Sequence, residues 1–475
     1  MLLRMLYDDK LAQASYLLAC QRTGEAMIVD PQRDVDRYLD LAAREGVSIT
    51  AIAETHIHAD YLSGARELAE RTGATLYVSG CGGEDWQYRW LDSFSGGGSY
   101  DAMRVRDGDA FTIGGIAIRV MHTPGHTPEH VCFLVTDRGG GATEPMGVFT
   151  GDFVFVGDLG RPDLLETAAG TAGAKEPSAR QLFASVKRFL ELADYVQVWP
   201  AHGSGSACGK ALGAVAQSTV GYERRFNPAI RTAVEGEAAF VAAILEGQPE
   251  PPLYFARMKR ENRDGPAVLG ELPRPMEMSA RDLAGLDAKA CAIIDTRTWR
   301  EFKQGHLPGS LYLPLNSSFP TDAGSFVRGG EPIYLILDGS RVEEGVRDLV
   351  RVGLDDIRGW CSPASLKEHA SGGGTMATAR DVDVREATSY VRESGAFVLD
   401  VRRASEHALG TLPGAKNIAH TRLAAHVAEL PKDRPILVHC QGGGRSARAV
   451  SLLRREGFDA VNLANGYGGW LAVNG

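Results

Sequence analysis

Thr55-His56-Ile57-His58-Ala59-Asp60-Tyr61 is the stretch on which the reading of this chain turns. It follows Ile49-Thr50-Ala51-Ile52-Ala53, an apolar run of strand length. Imidazoles two residues apart at a strand end are expected on the same side, where they can converge on one metal ion. Working outward, further ligand types recur after apolar runs: His126 in Thr123-Pro124-Gly125-His126-Thr127, Asp152 in Phe149-Thr150-Gly151-Asp152, and His202 in Trp199-Pro200-Ala201-His202-Gly203. One sheet is expected to bring all these strand ends to a common edge, the usual place for a site in an α/β fold.

The chain has 475 residues, which suggests about three domains. Its composition is that of a globular protein able to bury cores. The formal charge of −9 comes with no basic stripe, so nucleic acid is not an expected partner. No apolar run approaches the length of a membrane span, so no membrane association is expected either. Seven cysteines, an odd number scattered along the chain, do not resemble a disulfide framework. A reducing compartment follows, and a cytoplasmic location is the expectation.

The first half alternates strand-like runs, such as Ala26 to Asp30, Ala117 to Met121 and Val131 to Val135, with helical patterns around 33–45, 179–192 and 232–246. Prolines at 249, 251 and 252 then break the pattern, and 248–275 is expected as an irregular linker. Beyond it the sequence repeats. Ile293-Ile294-Asp295-Thr296-Arg297 matches Val398-Leu399-Asp400-Val401-Arg402, and Glu301, Gly305, Pro308 and Gly309 match Glu406, Gly410, Pro413 and Gly414, all 105 residues apart. Two copies of an α/β domain with parallel strands are expected, at 276–372 and 378–475. Ser371-Gly372-Gly373-Gly374 reads as the flexible joint between them.

The second copy carries Val438-His439-Cys440-Gln441-Gly442-Gly443-Gly444-Arg445, between a strand and an amphipathic helix. Gln441, Gly442, Gly443 and Gly444 let backbone N–H groups point inward at a helix N-terminus, forming a cradle for an anion. With Arg445, such a setting favours the thiolate and makes Cys440 a candidate nucleophile. The first copy has no equivalent. Counting from Pro332 as from Pro435, Leu337 stands where Cys440 does, so no sulfur transfer is expected there.

The order HxHxD, TPGHT, GD and PAH resembles the metallo-β-lactamase superfamily over roughly residues 1–245. That resemblance implies an N-terminal αββα metallo-β-lactamase fold over 1–247. The superfamily loop usually reads HxHxDH and holds two zinc ions, as in glyoxalase II, whereas Tyr61 stands here in place of the last histidine. A phenol with a pKa of about 10 is a far poorer zinc ligand. The loop also resembles that of persulfide dioxygenases. This implies one Fe(II) per chain, held by His56, His126 and Asp152, with three positions left for a persulfide sulfur and O2. His58, Asp60 and His202 then orient the ligands and hold water, or survive from a dinuclear ancestor. Gly160-Arg161-Pro162-Asp163 resembles the family's GRxD loop, in which Arg161 either steadies an anionic persulfide or pairs with Asp163.

Asp400, Arg402, Glu406, Leu412-Pro413-Gly414-Ala415 and the loop from Cys440 to Arg445 resemble the rhodanese family. Four residues separate that cysteine and arginine, as in rhodanese-type sulfurtransferases, where related phosphatases have five. Thr411 departs from the histidine often found there. The whole chain is similar to bacterial persulfide dioxygenase–sulfurtransferases that combine such a domain with an inactive and an active rhodanese domain. The implied partners are a low-molecular-weight thiol persulfide, O2 and sulfite, and the implied assembly is a homo-oligomer, a dimer or tetramer. Two alternatives remain open at this point. One is a zinc thioester hydrolase of the glyoxalase II type with a rhodanese appendage, and the other is a sulfur-trafficking or persulfide-sensing protein.

Overall fold

The computed structural model describes residues 1–167, 173–206, 208–210, 212–213 and 215–474. They form two compact units, residues 1–248 with 254–270, and residues 249–253 with 271–475.

Two six-stranded sheets face each other in the first unit. One has the order Leu2–Asp8, Gln13–Ala19, Glu25–Val29, Ser48–Ala53, Thr75–Ser79, Ala102–Val105. The other has the order Ser218–Thr219, Gln197–Pro200, Gly147–Gly151, Val131–Asp137, Ile116–His122, Ala110–Ile113. Tyr16, Leu18, Met27, Val29, Ala51 and Ala53 of the first sheet interlock with Ile116, Ile118, Val120, Phe133, Phe149 and Trp199 of the second. Each outer face is covered by helices. Tyr38, Ala42, Leu68 and Ala69 pack on one side, and Ala179, Leu182, Val186 and Phe240 on the other. The layering is αββα.

The αββα fold implied by the resemblance is the one observed, with the site strands shared between two sheets rather than aligned by one. Burial explains the difference: both faces of the first sheet are apolar, so its inner face needs a second sheet rather than solvent. In that second sheet Ile116–His122 and Gly147–Gly151 are both antiparallel to Val131–Asp137, and Gly147–Gly151 is parallel to Gln197–Pro200. The strands leading to His126, Asp152 and His202 consequently end at one edge.

Two further expectations change. The segment 248–275 is not an irregular linker, because Phe255–Asp264 is a helix closed by Gly265 and belonging to the first unit. Phe255, Met258 and Asn262 recur at helical spacing on its buried face, a pattern masked in the sequence by the charged residues around them. The helical stretch near 232–246 is two helices, Pro228–Glu235 and Glu237–Leu245, separated at Gly236.

In the second unit the two copies have matching all-parallel sheets. The orders are Met276–Glu277, Ile357–Cys361, Ile333–Ile336, Ala292–Asp295, Leu311–Tyr312, and Asp381–Val382, Ala460–Leu463, Ile436–His439, Phe397–Asp400, Lys416–Asn417. The glycine-rich joint is an ordered turn: Gly374 N–H donates to the His369 carbonyl, and a Cβ at Gly374 would lie 2.2 Å from that imidazole. Among the described residues no helix is long and apolar enough to cross a membrane.

Candidate functional site

His56, His126 and Asp152 come together from the two sheets of the first unit. His126 Nε2 lies 3.5 Å and His56 Nε2 3.9 Å from Asp152 Oδ2, with all three residues buried. Hydrogen bonding fixes the imidazole tautomers. The Thr55 hydroxyl donates its proton to Asp30 (2.8 Å), so its oxygen must accept from His56 Nδ1 at 3.0 Å, leaving a lone pair on Nε2. His126 Nδ1 likewise donates to the Arg161 carbonyl at 3.1 Å. Burial, followed by the field of His58 and the neighbouring histidines, drives the His56 pKa well below its ordinary value, and burial leads the depression of His126. Both rings are thus neutral donors. His56 Nε2 and both Asp152 oxygens have no hydrogen-bond partner, so two imidazole nitrogens and a carboxylate present their lone pairs to one point, a donor set that fits a divalent transition metal.

His58 does not join them. Its ring centroid is 4.2 Å from that of His56, but its Nε2 lies 3.3 Å from both Asp30 and Glu54 carboxylates. Burial opposes a charge on His58, yet those two carboxylates raise its pKa well above the ordinary value. Its Nε2 thus faces those two carboxylates, with which it forms a further buried donor set. Asp30 is held in the left-handed region (φ 51°) by its grip on Thr55, the kind of local strain that collects at functional sites.

A second donor set, Asp60, His202 and Cys208, adjoins the first through Asp152. His202 Nε2 is 3.3 Å from both Asp60 and Asp152, while its Nδ1 donates to the Ala12 carbonyl. Tyr61 takes no part. Its hydroxyl donates to the Asp30 carbonyl at 3.2 Å, and burial raises its pKa well above 10.0. Arg161 makes a two-pronged pair with Asp163, at 2.9 and 2.7 Å, so this pairing is present at the loop.

Sequence reasoning missed several supports. His130 Nε2 accepts the Asp152 N–H at 3.1 Å, and its Nδ1 donates to Thr123, so it aims the carboxylate ligand. Gly151 (φ 51°) has no room for a side chain, since a Cβ would sit 2.5 Å from Thr55 Oγ1 and 2.7 Å from His130 Nε2. His130 is visible in Thr127-Pro128-Glu129-His130, but nothing local marks its target. Ala12 and Gln13 come from an N-terminal hairpin that has no strand signature in the sequence.

In the second unit Cys440 is 1% exposed at the end of Ile436–His439. Its Sγ accepts the Gly443 N–H at 3.1 Å and the Ser446 hydroxyl at 3.4 Å. Gly443, at φ 91°, makes the turn into the helix Gly444–Arg455, which starts against the sulfur. Arg445 binds Glu406 bidentately at 2.6 and 2.7 Å, and so ties the loop to the helix Ala404–Ala408. Gln441 accepts from Arg402 at 3.2 Å, while a Cβ added at Gly442 would meet nothing within 4 Å. Behind the thiol, burial would raise the Asp400 pKa, but hydrogen bonds from Arg402 hold it far below the usual range. Thr411 fills the departure from the family pattern by donating to Asp400 at 2.8 Å. In the first copy the corresponding strand end leads to Leu337, 2% exposed, then to a turn in which Asp338 accepts from Ser340. Cys291 and Cys361 are buried in that copy's core, and burial raises both thiols, Cys361 to about 12.

Comparisons with known proteins agree with this architecture. The family model described as metallo-beta-lactamase superfamily matches residues 8–202, and the rhodanese-like domain model matches 279–357 and 362–473. A crystal structure of a metallo-beta-lactamase from Staphylococcus aureus is 38% identical, covers 76% of this chain and 99% of that chain, and superposes with a TM-score of 0.67. A beta-lactamase hydrolase-like protein of Agrobacterium fabrum is 31% identical over 58% of this chain, which spans 62% of that relative's length. A probable polyketide biosynthesis zinc-dependent hydrolase of Bacillus velezensis is 26% identical over 46% of this chain and 84% of its own length. The chain belongs to the metallo-beta-lactamase superfamily, with a metallo-beta-lactamase domain followed by rhodanese-like domains.

Proposed function

We propose that this chain is a persulfide dioxygenase joined to a sulfurtransferase. The overall first reaction is RSSH + O2 + H2O → RSH + SO3²⁻ + 2H⁺, in which the terminal sulfur loses four electrons and O2 gains them. The observation that carries this reading is the withdrawal of His58 and Tyr61 from the donor set, which leaves His56, His126 and Asp152 as a two-histidine, one-carboxylate triad. A ferrous ion in that triad would supply open coordination positions for sulfur and O2. The chain's own residues keep the ligands aimed: Thr55 and the Arg161 carbonyl fix the two imidazoles with Nε2 free of a proton, and His130 fixes the carboxylate.

Cys440 then acts in the second reaction. Its thiolate attacks the terminal sulfur of a persulfide, the S–S bond breaks, and the carrier thiol leaves. Sulfite attacks the outer sulfur of the resulting cysteine persulfide, giving thiosulfate and regenerating the thiolate. The Gly443 N–H and the Ser446 hydroxyl stabilise negative charge on that sulfur.

The test is oxygen uptake by the iron-loaded protein against a panel of persulfides, with sulfite and thiosulfate measured separately. Stoichiometric sulfite with a Cys440→Ser protein, and thiosulfate with the wild type, is the expected outcome. Thioester hydrolysis by a zinc-loaded protein that consumes no O2 would replace this reading with the hydrolase.

A further inference from the structure

The helix Phe255–Asp264 brings a cation to the metal loop. It is bolted there by Asn262, whose amide donates to the carbonyls of His58 and Tyr61 and accepts from Ser63 N–H, each at 2.8 Å, and by Tyr254, whose hydroxyl donates to the Asp60 carbonyl at 2.8 Å. Lys259 lies four residues after Phe255 and three before Asn262, so it shares their face of the helix.

Its Nζ sits 3.7 Å from the centroid of the Trp86 ring. The turn bearing Trp86 is packed on Glu129, since a Cβ at Gly82 would lie 2.9 Å from the Cβ atoms of both. Glu129 in turn accepts the N–H of Ile57, between the two loop histidines, at 2.8 Å. Trp86 and Glu129 thus link Lys259 to the backbone of the metal loop at Ile57.

Among the described residues the ammonium meets the indole face and donates to no carboxylate or carbonyl. An ammonium partly out of water needs acceptors for its N–H groups. Glu129 is a counter-charge to it, and burial raises that carboxyl above the ordinary carboxylate range. Burial likewise lowers Lys259 to about 8, and it remains mostly protonated at pH 7.

We propose that Lys259, seated on Trp86, positions the substrate by an anionic group, a carboxylate or a phosphate, on the thiol carrier of the persulfide. This rests on the persulfide reading above. It makes Lys259 a specificity-determining residue remote from the reacting sulfur.

The test uses the full, iron-loaded chain and its Lys259→Gln and Lys259→Arg variants with three substrates. Glutathione persulfide presents carboxylates, coenzyme A persulfide presents phosphates, and glutathione diethyl ester persulfide presents neither. Lys259→Gln is expected to raise KM about tenfold or more for at least one anionic carrier, with kcat within about twofold and the diester unaffected, and Lys259→Arg to stay within about threefold of wild type. Equal KM increases with the diester, a loss confined to kcat, or no change with either anionic carrier would overturn the proposal. Tryptophan fluorescence titrations with S-methylglutathione and S-methyl-coenzyme A provide a readout without turnover. About tenfold weaker binding of one of them by Lys259→Gln supports the anchor, and unchanged affinity for both overturns it. A wild type that consumes no O2 with any persulfide refutes the persulfide reading, and the titrations then decide on the anchor alone.

Discussion

The two rhodanese-like copies share a frame and differ in a loop. In the first, Arg297 binds Asp295 at 2.6 Å and the Gly305 carbonyl at 2.8 Å. In the second, Arg402 binds Asp400 at 2.7 Å and the Gly410 carbonyl at 2.6 Å. The pair persists where the thiol has gone, so its task in both copies is to fasten the strand end to the following turn. The copies diverge after the neighbouring strand of the sheet, where Cys440 meets Gly443 and its counterpart is a buried leucine.

The largest expected effect breaks the second copy down to the level of the first. Cys440→Ala should abolish thiosulfate formation, by at least ~10³-fold, while O2 uptake stays within about twofold of wild type. A variant that still makes thiosulfate enzymatically would remove the difference drawn between the copies.

If the Arg–Asp pairs are frames, both should matter to stability alike. Arg297→Ala and Arg402→Ala each take the guanidinium from a buried carboxylate, Asp400 keeping Thr411 and His407, and should cost about 3–5 kcal/mol in unfolding of the second unit. A large loss from Arg402→Ala beside a negligible one from Arg297→Ala, in denaturant melts, would assign Arg402 a role particular to the cysteine-bearing copy.

The strand register pairs Asp400 with His439 and Asp295 with Ile336, so the cysteine-bearing copy carries a buried histidine where its neighbour carries an isoleucine. Burial pulls His439 down to about 4. The unfolded chain therefore binds a proton that the folded one refuses. Stability conferred by the neutral ring is present above about pH 6.5 and declines by roughly 3 kcal/mol as pH falls toward 4. His439→Ile should flatten the dependence of melting temperature on pH in that window, and an unchanged slope would locate the proton uptake elsewhere.

The smallest effect is expected from the reverse exchange. Leu337→Cys places a thiol at the corresponding position, but the turn after it is closed by Asp338 on Ser340 instead of a glycine-led helix start, and no gain in sulfur transfer is expected in a Cys440→Ala background. Recovered activity would show that the thiol suffices without its cradle.

Much of the site was legible because its residues follow apolar strands in recognisable turns, and the repeat announced itself through Asp-x-Arg and Pro-Gly at fixed spacing. What stayed hidden depends on partners distant in sequence. Glu54 lies four residues before His58, but nothing near that loop signals that Asp30 will join it in holding the ring. The N-terminal strand Leu2–Asp8 mixes Arg4 and Asp8 into an edge position and shows no clear alternation. The helix Phe255–Asp264 is dominated by charge, and three buried residues carry its docking.

That helix also bears on how such chains are shuffled. A recombination point at the proline break near 249 looks natural in the sequence, yet a half ending there would leave the His58 and Tyr61 carbonyls and the Ser63 N–H without the amide of Asn262. The inheritable module extends through residue 270, and exchange between relatives that respected the apparent boundary would transmit a metal loop without its clasp.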